Sequence, residues 1–454
     1  MGFKDECGVF GITQHSEAAN LTYLGLYALQ HRGQEAAGIC ATDGIVLRLH
    51  KDQGYVADIF DEDIIKSLAG HQAIGHTRYS TTGGDSSESS QPFMRDGRFG
   101  FLSLCHNGNL TNTELLRQQL IARGVVFQSS SDSEVLLALI QLSEAISLEE
   151  AIIEALKQAE GAYSLLVMNQ EYLFAIRDPH GFRPLVMGKL GPSFIFSSES
   201  CALDLIGATY DREVMPGELI QIHHGSLESR TPLPRKAAKP CVFEHVYFSR
   251  PDSYVFGQSV MKSRREMGRL LAERHPAPVD LVIPVPDSGV SAALGYSQAS
   301  GIPMDFGLIR NHYIGRTFIE PQQSIRSFGV RIKLNPVRHL IEGKRVVLID
   351  DSIVRGTTSK KIVEMVRQAG ASEVHFRVSS PPTTHSCFYG IDTPSRENLI
   401  ASHMNIETMN TFIGSDTLAF LTLQDLATAV QDKTQGSGYC YACFNGDYAV
   451  PPLA

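Results

Sequence analysis

Apolar and polar positions follow two different patterns in the two halves of the chain. The first half groups strand-like runs such as GVFGI, GIVLRL and AYSLLVM around helical stretches near residues 20–31 and 133–159. The second half alternates continuous apolar runs, VDLVIPVP, KRVVLIDD and SEVHFRVSS, with helical segments. Grouped strands predict a layered α+β domain, whereas this alternation predicts a mostly parallel α/β sheet with helices on both faces.

The two patterns meet at SLESRTPLPRKAAKP (226–240), a stretch rich in Pro, Lys and Arg and poor in bulky apolar residues. Such a composition is typical of a linker. We therefore expect two domains, residues 7–230 and 231–454, with the six residues before Cys7 considered below. The length of 454 residues allows each domain a core of its own.

The composition is that of an ordinary globular protein, with 43% apolar and 20% charged residues. A net charge of −9 gives no basic field that would attract nucleic acid or anionic lipid. No apolar run approaches the ~18 residues that a membrane helix needs, and the N-terminus has no signal-peptide pattern. We expect a cytoplasmic protein in which cysteines stay reduced, with Cys40, Cys105 and Cys201 as small buried side chains.

The most informative stretch for chemistry is VVLIDDSIVRGTTSKK (346–361). Asp350 and Asp351 follow an apolar strand, and Gly356 precedes two threonines at the start of a predicted helix. Helix N-termini bind anions. Adjacent carboxylates repel each other unless something bridges or hydrogen-bonds them, and a ribose diol or a hydrated Mg²⁺ would do both. A plain cap before the helix is the alternative. The segment lacks the GK[ST] ending of a nucleotide-triphosphate loop.

This stretch resembles the phosphoribosyl-pyrophosphate (PRPP) signature of type I phosphoribosyltransferases. The resemblance implies that Asp350 and Asp351 hold the ribose hydroxyls and a metal ion, Mg²⁺. It implies PRPP-binding residues in and after the loop, namely Asp350, Asp351, Ser352, Ile353, Val354, Arg355, Gly356, Thr357 and Thr358. PVPDSG (284–289) resembles the pyrophosphate-side loop of the family, with Ser288 as a metal contact. The basic segment 310–335 is expected to be a flexible lid, with a plain surface loop as the alternative.

Five short motifs in the first half place a polar or Gly-rich turn beside an apolar strand or helix. They are CGVFGI (7–12), LQHRGQEAAGI (29–39), GHTRYSTTG (75–83), HNGNLTN (106–112) and SSSDSE (129–134). In this order they resemble the glutamine amidotransferase domain of the N-terminal-nucleophile hydrolases. Hydrolysis of an amide requires a nucleophile, a base and donors for the oxyanion. The resemblance implies Cys7 as the nucleophile, with Asn107 and the backbone amide of Gly108 as the oxyanion hole.

In this fold the α-amine of the nucleophile is the base. An α-amine with a pKa near ~8 is partly unprotonated at neutral pH, unlike a lysine with a pKa near ~10.4. The role exists only if Cys7 is the first residue, so MGFKDE (1–6) is expected to be a propeptide that is removed. A Cys–His dyad without cleavage is the alternative, using His31, His76 or His106.

The same motifs imply the glutamine-binding residues. Arg78 is expected to bind the α-carboxylate of glutamine, a task that suits its bidentate fork. Asp132 is expected to bind the α-ammonium group, and Thr81 to assist nearby. Arg32 is expected to position the loop of the nucleophile.

The two halves together resemble the amidophosphoribosyltransferase family over nearly the whole chain, including RDPHGFRPL (177–185). The resemblance implies an enzyme that converts glutamine, PRPP and water into 5-phosphoribosylamine, glutamate and pyrophosphate, the first committed step of purine synthesis. Ammonia released at Cys7 would reach the PRPP site by an enclosed path, because bulk water would protonate it. The resemblance also implies a homotetramer that purine nucleotides inhibit.

Four further cysteines form a candidate tetrathiolate. Cys440 and Cys443 are a Cys-x₂-Cys pair, whereas Cys241 and Cys387 are distant in sequence. Spacing alone leaves structural Zn²⁺ and a [4Fe–4S] cluster open. The resemblance implies the iron–sulfur cluster, because family members with a propeptide carry one. KPCVFEHVYFSRPDS, HSCFYGID and YCYACF match its ligand segments.

Two rival functions have less support from the sequence. A PRPP-sensing regulator of transcription would bind its ligand without turnover, but the acidic charge, the lack of a DNA-binding segment and the glutaminase motifs count against it. A hexosamine-phosphate synthase would need a sugar-isomerase second half, which the Asp-Asp phosphate motif contradicts.

Overall fold

A computed structural model describes four stretches of the chain, residues 7–79, 87–311, 334–430 and 438–451. The expected propeptide, Thr81 and most of the expected lid at 310–335 lie outside these stretches. No helix within them combines the length and the apolar character that crossing a bilayer requires.

The first half of the chain contains two antiparallel sheets. Its strands are β1 (Gly8–Ile12), β2 (Ala36–Thr42), β3 (Leu47–Gln53), β4 (Gln72–Arg78), β5 (Phe93–Arg95), β6 (Leu102–Leu110), β7 (Gly161–Met168), β8 (Tyr172–Arg177), β9 (Val186–Leu190), β10 (Ser193–Ser197), β11 (Thr209–Glu213), β12 (Leu219–His223) and β13 (Ser226–Arg230). One sheet has the order β11-β9-β10-β1-β4-β2-β3, and the other has the order β13-β12-β8-β7-β6-β5. β1 pairs on both sides, with β10 and β4, which restrains the residue that precedes it, Cys7.

Helices cover the outer faces of the two sheets. They are α1 (Ala18–Ala28), α2 (Val56–Ile59), α3 (Glu62–Ser67), α4 (Thr113–Ala122), α5 (Asp132–Gln141), α6 (Leu148–Gln158) and α7 (Cys201–Leu205). α1 and α7 pack on the seven-stranded sheet, and α4, α5 and α6 pack on the six-stranded sheet. The inner faces of the sheets enclose a shared core that includes Val9, Cys40 and Cys105. The predicted α+β sandwich is confirmed, with four layers.

Two details of the prediction for this half are wrong. The helical stretch near 133–159 is two helices, α5 and α6. Ser147 starts the second, because its side chain accepts the amide N–H of Glu150 at 3.2 Å and the Glu150 carboxylate accepts the amide N–H of Ser147 at 3.4 Å. This reciprocal pair is a capping box, which begins a new helix. The predicted linker at 226–240 is also partly strand, because its first five residues are β13, paired with β12.

The second half contains a parallel sheet. Its strands are β14 (Tyr254–Val255), β15 (Gln258–Ser259), β16 (Leu281–Pro284), β17 (Leu308–Arg310), β18 (Leu334–Pro336), β19 (Arg345–Asp350), β20 (Glu373–Val378) and β21 (Thr417–Phe420). The parallel sheet has the order β16-β19-β20-β21, while β14–β15 and β17–β18 are small antiparallel pairs. The carboxyl ends of β16 and β19 lie side by side at the edge where ligands of such sheets bind.

Helices pack on both faces of this sheet. They are α8 (Val260–Arg274), α9 (Val290–Ser300), α10 (Arg338–Ile341), α11 (Thr357–Gln368), α12 (Ile406–Ile413), α13 (Leu423–Val430) and α14 (Ala442–Asn445). Short 3₁₀ turns span Ser87–Ser89, Arg396–Asn398 and Ile400–Ser402, and a π-helical turn spans Glu244–Phe248. Along β19, Val347 and Ile349 pack with α8, α9 and α13, whereas Val346 and Leu348 pack with α11 and α12. The predicted α/β domain is confirmed.

A buried cluster of charges joins the two halves. Arg32 donates to Glu199 at 2.6 Å and to Glu244 at 2.7 Å. Arg183 also donates to Glu244, and all four side chains are fully buried. Burial would raise the pKa of Glu199, but the charges of His31 and Arg32 outweigh burial and lower this pKa to about 2. Because only Glu244 belongs to the second half, this charge cluster ties the halves together.

Replacement of Glu244 by Ala should destabilise the protein by about 3–5 kcal/mol, because it deprives two buried guanidinium groups of a carboxylate partner. The matched control is Glu62→Ala, which removes the exposed partner of Lys66 and should cost less than about 1 kcal/mol. Urea unfolding followed by circular dichroism measures both variants. Equal unfolding midpoints would contradict a stabilising role for the charge cluster.

Candidate active sites of the two halves

The candidate nucleophile Cys7 directly precedes β1 and is partly exposed. Its Sγ lies 3.8 Å from the carbonyl oxygen of Tyr79. The Nε of Arg32 donates to the carbonyl oxygen of Cys7 at 3.1 Å. Because Glu199 and Glu244 hold Arg32, the charge cluster restrains the backbone at the nucleophile. Sequence reasoning identified Arg32 but missed both carboxylate partners.

The candidate oxyanion residue Asn107 lies on β6 and is buried. Its Nδ2 donates to the Oγ of Ser198 over a long 3.5 Å, and its Oδ1 has no hydrogen-bond partner among the described residues. The same Oγ accepts the amide N–H of Val9 at 2.9 Å. Ser198 therefore links Asn107 to the strand that follows the nucleophile. Sequence reasoning missed Ser198, whose signal is the polar run SSES after β10.

Gly108, the other candidate donor, follows Asn107 on β6. A Cβ atom at this position would lie 2.1 Å from the carbonyl oxygen of Ala162 on β7. The backbone φ is 149°, a region that side chains disfavour. Only glycine fits at this point of the strand, so the position of the amide depends on the backbone segments around it.

The residues expected to bind the two ends of glutamine differ in their surroundings. Arg78 ends β4, is half-buried, and forms no hydrogen bond or ion pair through its side chain with another described residue. Asp132 begins α5, accepts the amide N–H of Leu110 at 2.9 Å and lies 3.3 Å from Nδ1 of His106. Burial would raise the pKa of Asp132, but the charge of His106 and these hydrogen bonds outweigh burial and lower it. Asp132 is thus an anion that also anchors the end of β6.

The three histidines of the alternative dyad have other partners. The Nε2 of His31 lies 2.7 Å from Oε1 of Glu199. The Nε2 of His76 lies 3.0 Å from the carbonyl oxygen of His106, and burial lowers the pKa of His76 to about 3. His106 forms the ion pair described above. None of the three forms a hydrogen bond with Cys7 in the described part of the chain, so the structure gives no support to a Cys–His dyad.

Asp350 and Asp351 lie at the carboxyl end of β19, and both are buried. The Oγ of Ser288, from the loop after β16, donates to Asp351 at 2.6 Å. The amide N–H of Asp351 donates to the carboxylate of Asp350 at 3.0 Å. Burial raises the pKa of both carboxyls, and the charge of Asp351 raises that of Asp350 further. The loops after β16 and β19 therefore meet at two neighbouring carboxylates. Such a site suits a hydrated cation or a sugar diol.

Residues 352–358 comprise the loop after β19 and the first two residues of α11. The side chains of Ile353 and Val354 lie in the two cores of the domain, so only their backbone could contact a ligand. The amide N–H groups of 353–356 donate to no other described residue. Gly356 has a left-handed backbone with φ of 71° and precedes the helix. This row of open amides at a helix N-terminus suits a phosphate group.

Arg264, on α8, is a buried guanidinium whose charge acts on groups of both sites. Arg264 donates to three backbone carbonyl oxygens of the segment 245–249 at 2.7–2.8 Å. Burial lowers the pKa of Arg264 to about 10, and the nearby charges of Asp351, Glu199 and Glu244 oppose this shift. Arg264 therefore interacts with the aspartate pair of one site and with the charge cluster that supports the other.

The four cysteines of the candidate tetrathiolate lie together. Cys241 and Cys440 are partners in an isolated β-bridge, and the amide N–H of Tyr389 donates to Sγ of Cys387 at 3.3 Å. Burial raises the pKa of Cys443, and the charges of the other three thiols raise it further. No three His, Cys, Asp or Glu side chains of the described residues converge on a point that could hold a single metal ion.

Two family models match the chain. Residues 76–205 match the glutamine amidotransferase domain, and residues 258–382 match the phosphoribosyl transferase domain. The chain is 51% identical to amidophosphoribosyltransferase 1, chloroplastic, of Arabidopsis thaliana, an alignment that covers 99% of this chain and 79% of that protein. It is 48% identical to amidophosphoribosyltransferase of Bacillus subtilis, with 98% and 94% covered.

Solved structures agree with these matches. The glutamine PRPP amidotransferase from B. subtilis complexed with ADP and GMP is 47% identical and superposes with a TM-score of 0.94, covering 98% of each chain. A structure described as the allosteric regulatory enzyme of purine biosynthesis is 48% identical, with a TM-score of 0.95 and 98% of this chain covered. On this sequence identity, coverage and shared fold, the chain belongs to the amidophosphoribosyltransferase family.

Proposed function

We propose that the chain converts glutamine, PRPP and water into 5-phosphoribosylamine, glutamate and pyrophosphate, the first committed step of purine synthesis. The observation that carries this proposal is the pairing of two sites in one chain. One site is Cys7, whose backbone carbonyl Arg32 holds, and the other is a buried aspartate pair beside an open phosphate cradle. A PRPP-sensing regulator without turnover would have no use for the first site.

In the first half, the thiol of Cys7 attacks the carboxamide carbon of glutamine, and its proton passes to the α-amine of the same residue. The Nδ2 of Asn107 and the amide of Gly108 stabilise the oxyanion. Arg78 binds the α-carboxylate of glutamine, and Asp132 binds its α-ammonium. The C–N bond breaks to release ammonia, and water then hydrolyses the thioester to glutamate.

In the second half, the amides of 352–358 bind the 5′-phosphate of PRPP, and Asp350 and Asp351 bind the ribose hydroxyls. The hydroxyl of Ser288 and the two carboxylates are hard oxygen donors that suit Mg²⁺, which neutralises the charge of the departing pyrophosphate. Ammonia forms the C1–N bond as the C1–O bond to pyrophosphate breaks, and the nitrogen loses a proton. The buried contact between the halves supports direct passage of ammonia, because bulk water would protonate it.

We also propose that the chain carries a [4Fe–4S] cluster and a removable propeptide. The cluster ligands are Cys241, Cys387, Cys440 and Cys443. The N–H···S hydrogen bond at Cys387 is of a kind that stabilises cluster thiolates. The cluster connects the start of the second half, its body and its tail, and so acts as a structural clip.

Regulation by purine nucleotides, a homotetramer and a cytoplasmic location are further proposals. The B. subtilis relative was solved with ADP and GMP, and the second solved relative is described as an allosteric regulatory enzyme. We also propose the domain boundary after Arg230, where β13 ends. The proposed glutaminase domain is therefore 7–230, and the proposed transferase domain with its cluster-binding tail is 231–454.

Cys7→Ala and Asp351→Asn should separate the two activities. Without its thiol, Cys7→Ala should lose turnover with glutamine by at least about 10³-fold but keep turnover with high ammonia, because the PRPP site is intact. Asp351→Asn should lose both activities, because the sugar is no longer held. Pyrophosphate release from PRPP measures both. Loss of ammonia-dependent turnover in Cys7→Ala would argue against two separate sites.

The purified active enzyme should begin at Cys7, because only a free α-amine on that residue can accept the proton of the thiol. Intact mass spectrometry should therefore show the loss of Met1–Glu6, and N-terminal sequencing should confirm the new terminus. Full glutamine-dependent turnover in protein that retains Met1 would refute this part of the proposal.

Protein purified without oxygen should contain about four iron atoms per chain and the broad visible absorbance of an iron–sulfur cluster. Cys387→Ser should lose both signals, because it removes one ligand. The matched control Cys40→Ala removes a buried thiol from the core between the two sheets and should retain both. Stoichiometric zinc without iron, or equal iron in both variants, would exclude the cluster assignment.

A further inference from the structure

A segment of the second half lies directly against the candidate oxyanion strand of the first half. Gly390 has a φ of +106°, and a Cβ atom built on it would lie 3.0 Å from both C and Cα of Gly108. The Nδ2 of Asn109 donates to the carbonyl oxygen of Phe388 at 3.0 Å. The backbone of one half therefore touches the backbone of the other at the residue that follows Asn107.

Both halves build a small apolar cluster behind this contact. Ala162, Phe182, Tyr389 and Val450 are its buried members. The rings of Phe182 and Tyr389 stack with centroids 4.1 Å apart. The hydroxyl of Tyr389 donates to the carbonyl oxygen of Val450 at 2.9 Å and accepts its amide N–H at 2.8 Å. Ala162 lies opposite Asn109 in the β6–β7 pairing, so this cluster supports the strand that carries Gly108.

Gly108 has no side chain that could fix its position. On one side, a Cβ atom built on Gly108 would lie only 2.1 Å from the carbonyl oxygen of Ala162, so there is no free space there. On the other side lies Gly390, at a separation that leaves no room for a methyl group. An oxyanion donor must lie within a few tenths of an ångström of its productive position. The two neighbours therefore set where the amide of Gly108 points.

We infer that the segment Phe388–Gly390 positions the oxyanion hole of the glutaminase. This inference rests on the proposed function and deepens it, because it makes hydrolysis of glutamine depend on a loop of the transferase half. The loop does not touch the reacting atoms. The loop acts on Gly108 through the contact that Gly390 makes with it. It acts on Asn109 through the hydrogen bond that the side-chain amide of Asn109 donates to the carbonyl oxygen of Phe388. Glutamine hydrolysis is therefore expected to be sensitive to any displacement of the loop.

The test uses Gly390→Ala in the full-length protein, assayed with glutamine and with ammonia. The new methyl group must push the Gly108 backbone by roughly half an ångström, since carbon atoms pack about 3.5–4.0 Å apart. We expect kcat with glutamine to fall about tenfold or more. The KM for glutamine should stay within about threefold, because Arg78 and Asp132 are untouched, and turnover with ammonia should be unchanged.

The matched control is Gly414→Ala. Gly414 also has a left-handed backbone, with φ of +80°, but no atom lies within 4 Å of a Cβ built on it. Gly414→Ala therefore also places a side chain on a backbone with positive φ but makes no new contact, and both activities should be retained. Thermal unfolding of Gly390→Ala and Gly414→Ala compares their stabilities. A loss of glutamine turnover that is equal in the two variants would overturn the inference.

A second variant keeps the test decisive if Gly390→Ala does not fold. Asn109→Ala removes the hydrogen bond to Phe388 without adding bulk, and kcat with glutamine should fall by about three- to tenfold. Alkylation of Cys7 by iodoacetamide, followed by peptide mass spectrometry, should proceed at the wild-type rate, because this displacement needs no oxyanion donor. Slower alkylation would mean that the nucleophile itself is disturbed and would overturn the inference.

Two further results have distinct meanings. Folded Gly390→Ala or Asn109→Ala with wild-type kcat for glutamine would overturn the inference and leave the proposed function intact. Wild-type protein that releases no glutamate from glutamine would instead overturn the proposed function, whatever the variants do.

Discussion

The buried hydrogen bonds of Arg32 are the interaction on which the rest of the structure depends. A fully buried guanidinium is tolerated only when carboxylates and carbonyl oxygens surround it. Here the carboxylates are Glu199 from the first half and Glu244 from the second, and one carbonyl oxygen belongs to Cys7. The backbone of Cys7, the proposed nucleophile, is therefore held by an arrangement that exists only when the two halves are docked.

With the two halves docked, the charge of one residue, Arg264, acts on groups of both candidate sites. Arg264 is held by the carbonyl oxygens of 245–249, directly after Glu244, and its charge interacts with Asp351. Charges that are buried together interact strongly because little water screens them. Occupation of the aspartate pair by a cation or a sugar would change the field at Arg264. The segment that Arg264 holds leads through Glu244 and Arg32 to Cys7, the proposed nucleophile. This arrangement gives a physical basis for coupling between the two sites.

Much of the architecture could be predicted from local patterns. The apolar run GVFGI after Cys7 and the apolar run before Asp350 predict strands, and both strands are present as β1 and β19. The Asp-Asp doublet followed by Gly-Thr-Thr predicts a phosphate cradle from neighbouring residues alone. Ser198, Glu244 and Gly390 were missed, because their roles arise from contacts with residues far away in the sequence. The break between α5 and α6 was also missed. Both helices pack on the same core, and the helical spacing of apolar residues continues from the first helix into the second.

The contacts of Val450 have a consequence for the order in which the protein matures. The strand that carries Gly108 is synthesised early, but the apolar cluster behind it is completed by Val450, near the end of the described chain. During translation, the whole first half is therefore made before the residues that complete this cluster. The backbone around Gly108 therefore reaches its final support only after Tyr389 and Val450 of the second half have been synthesised.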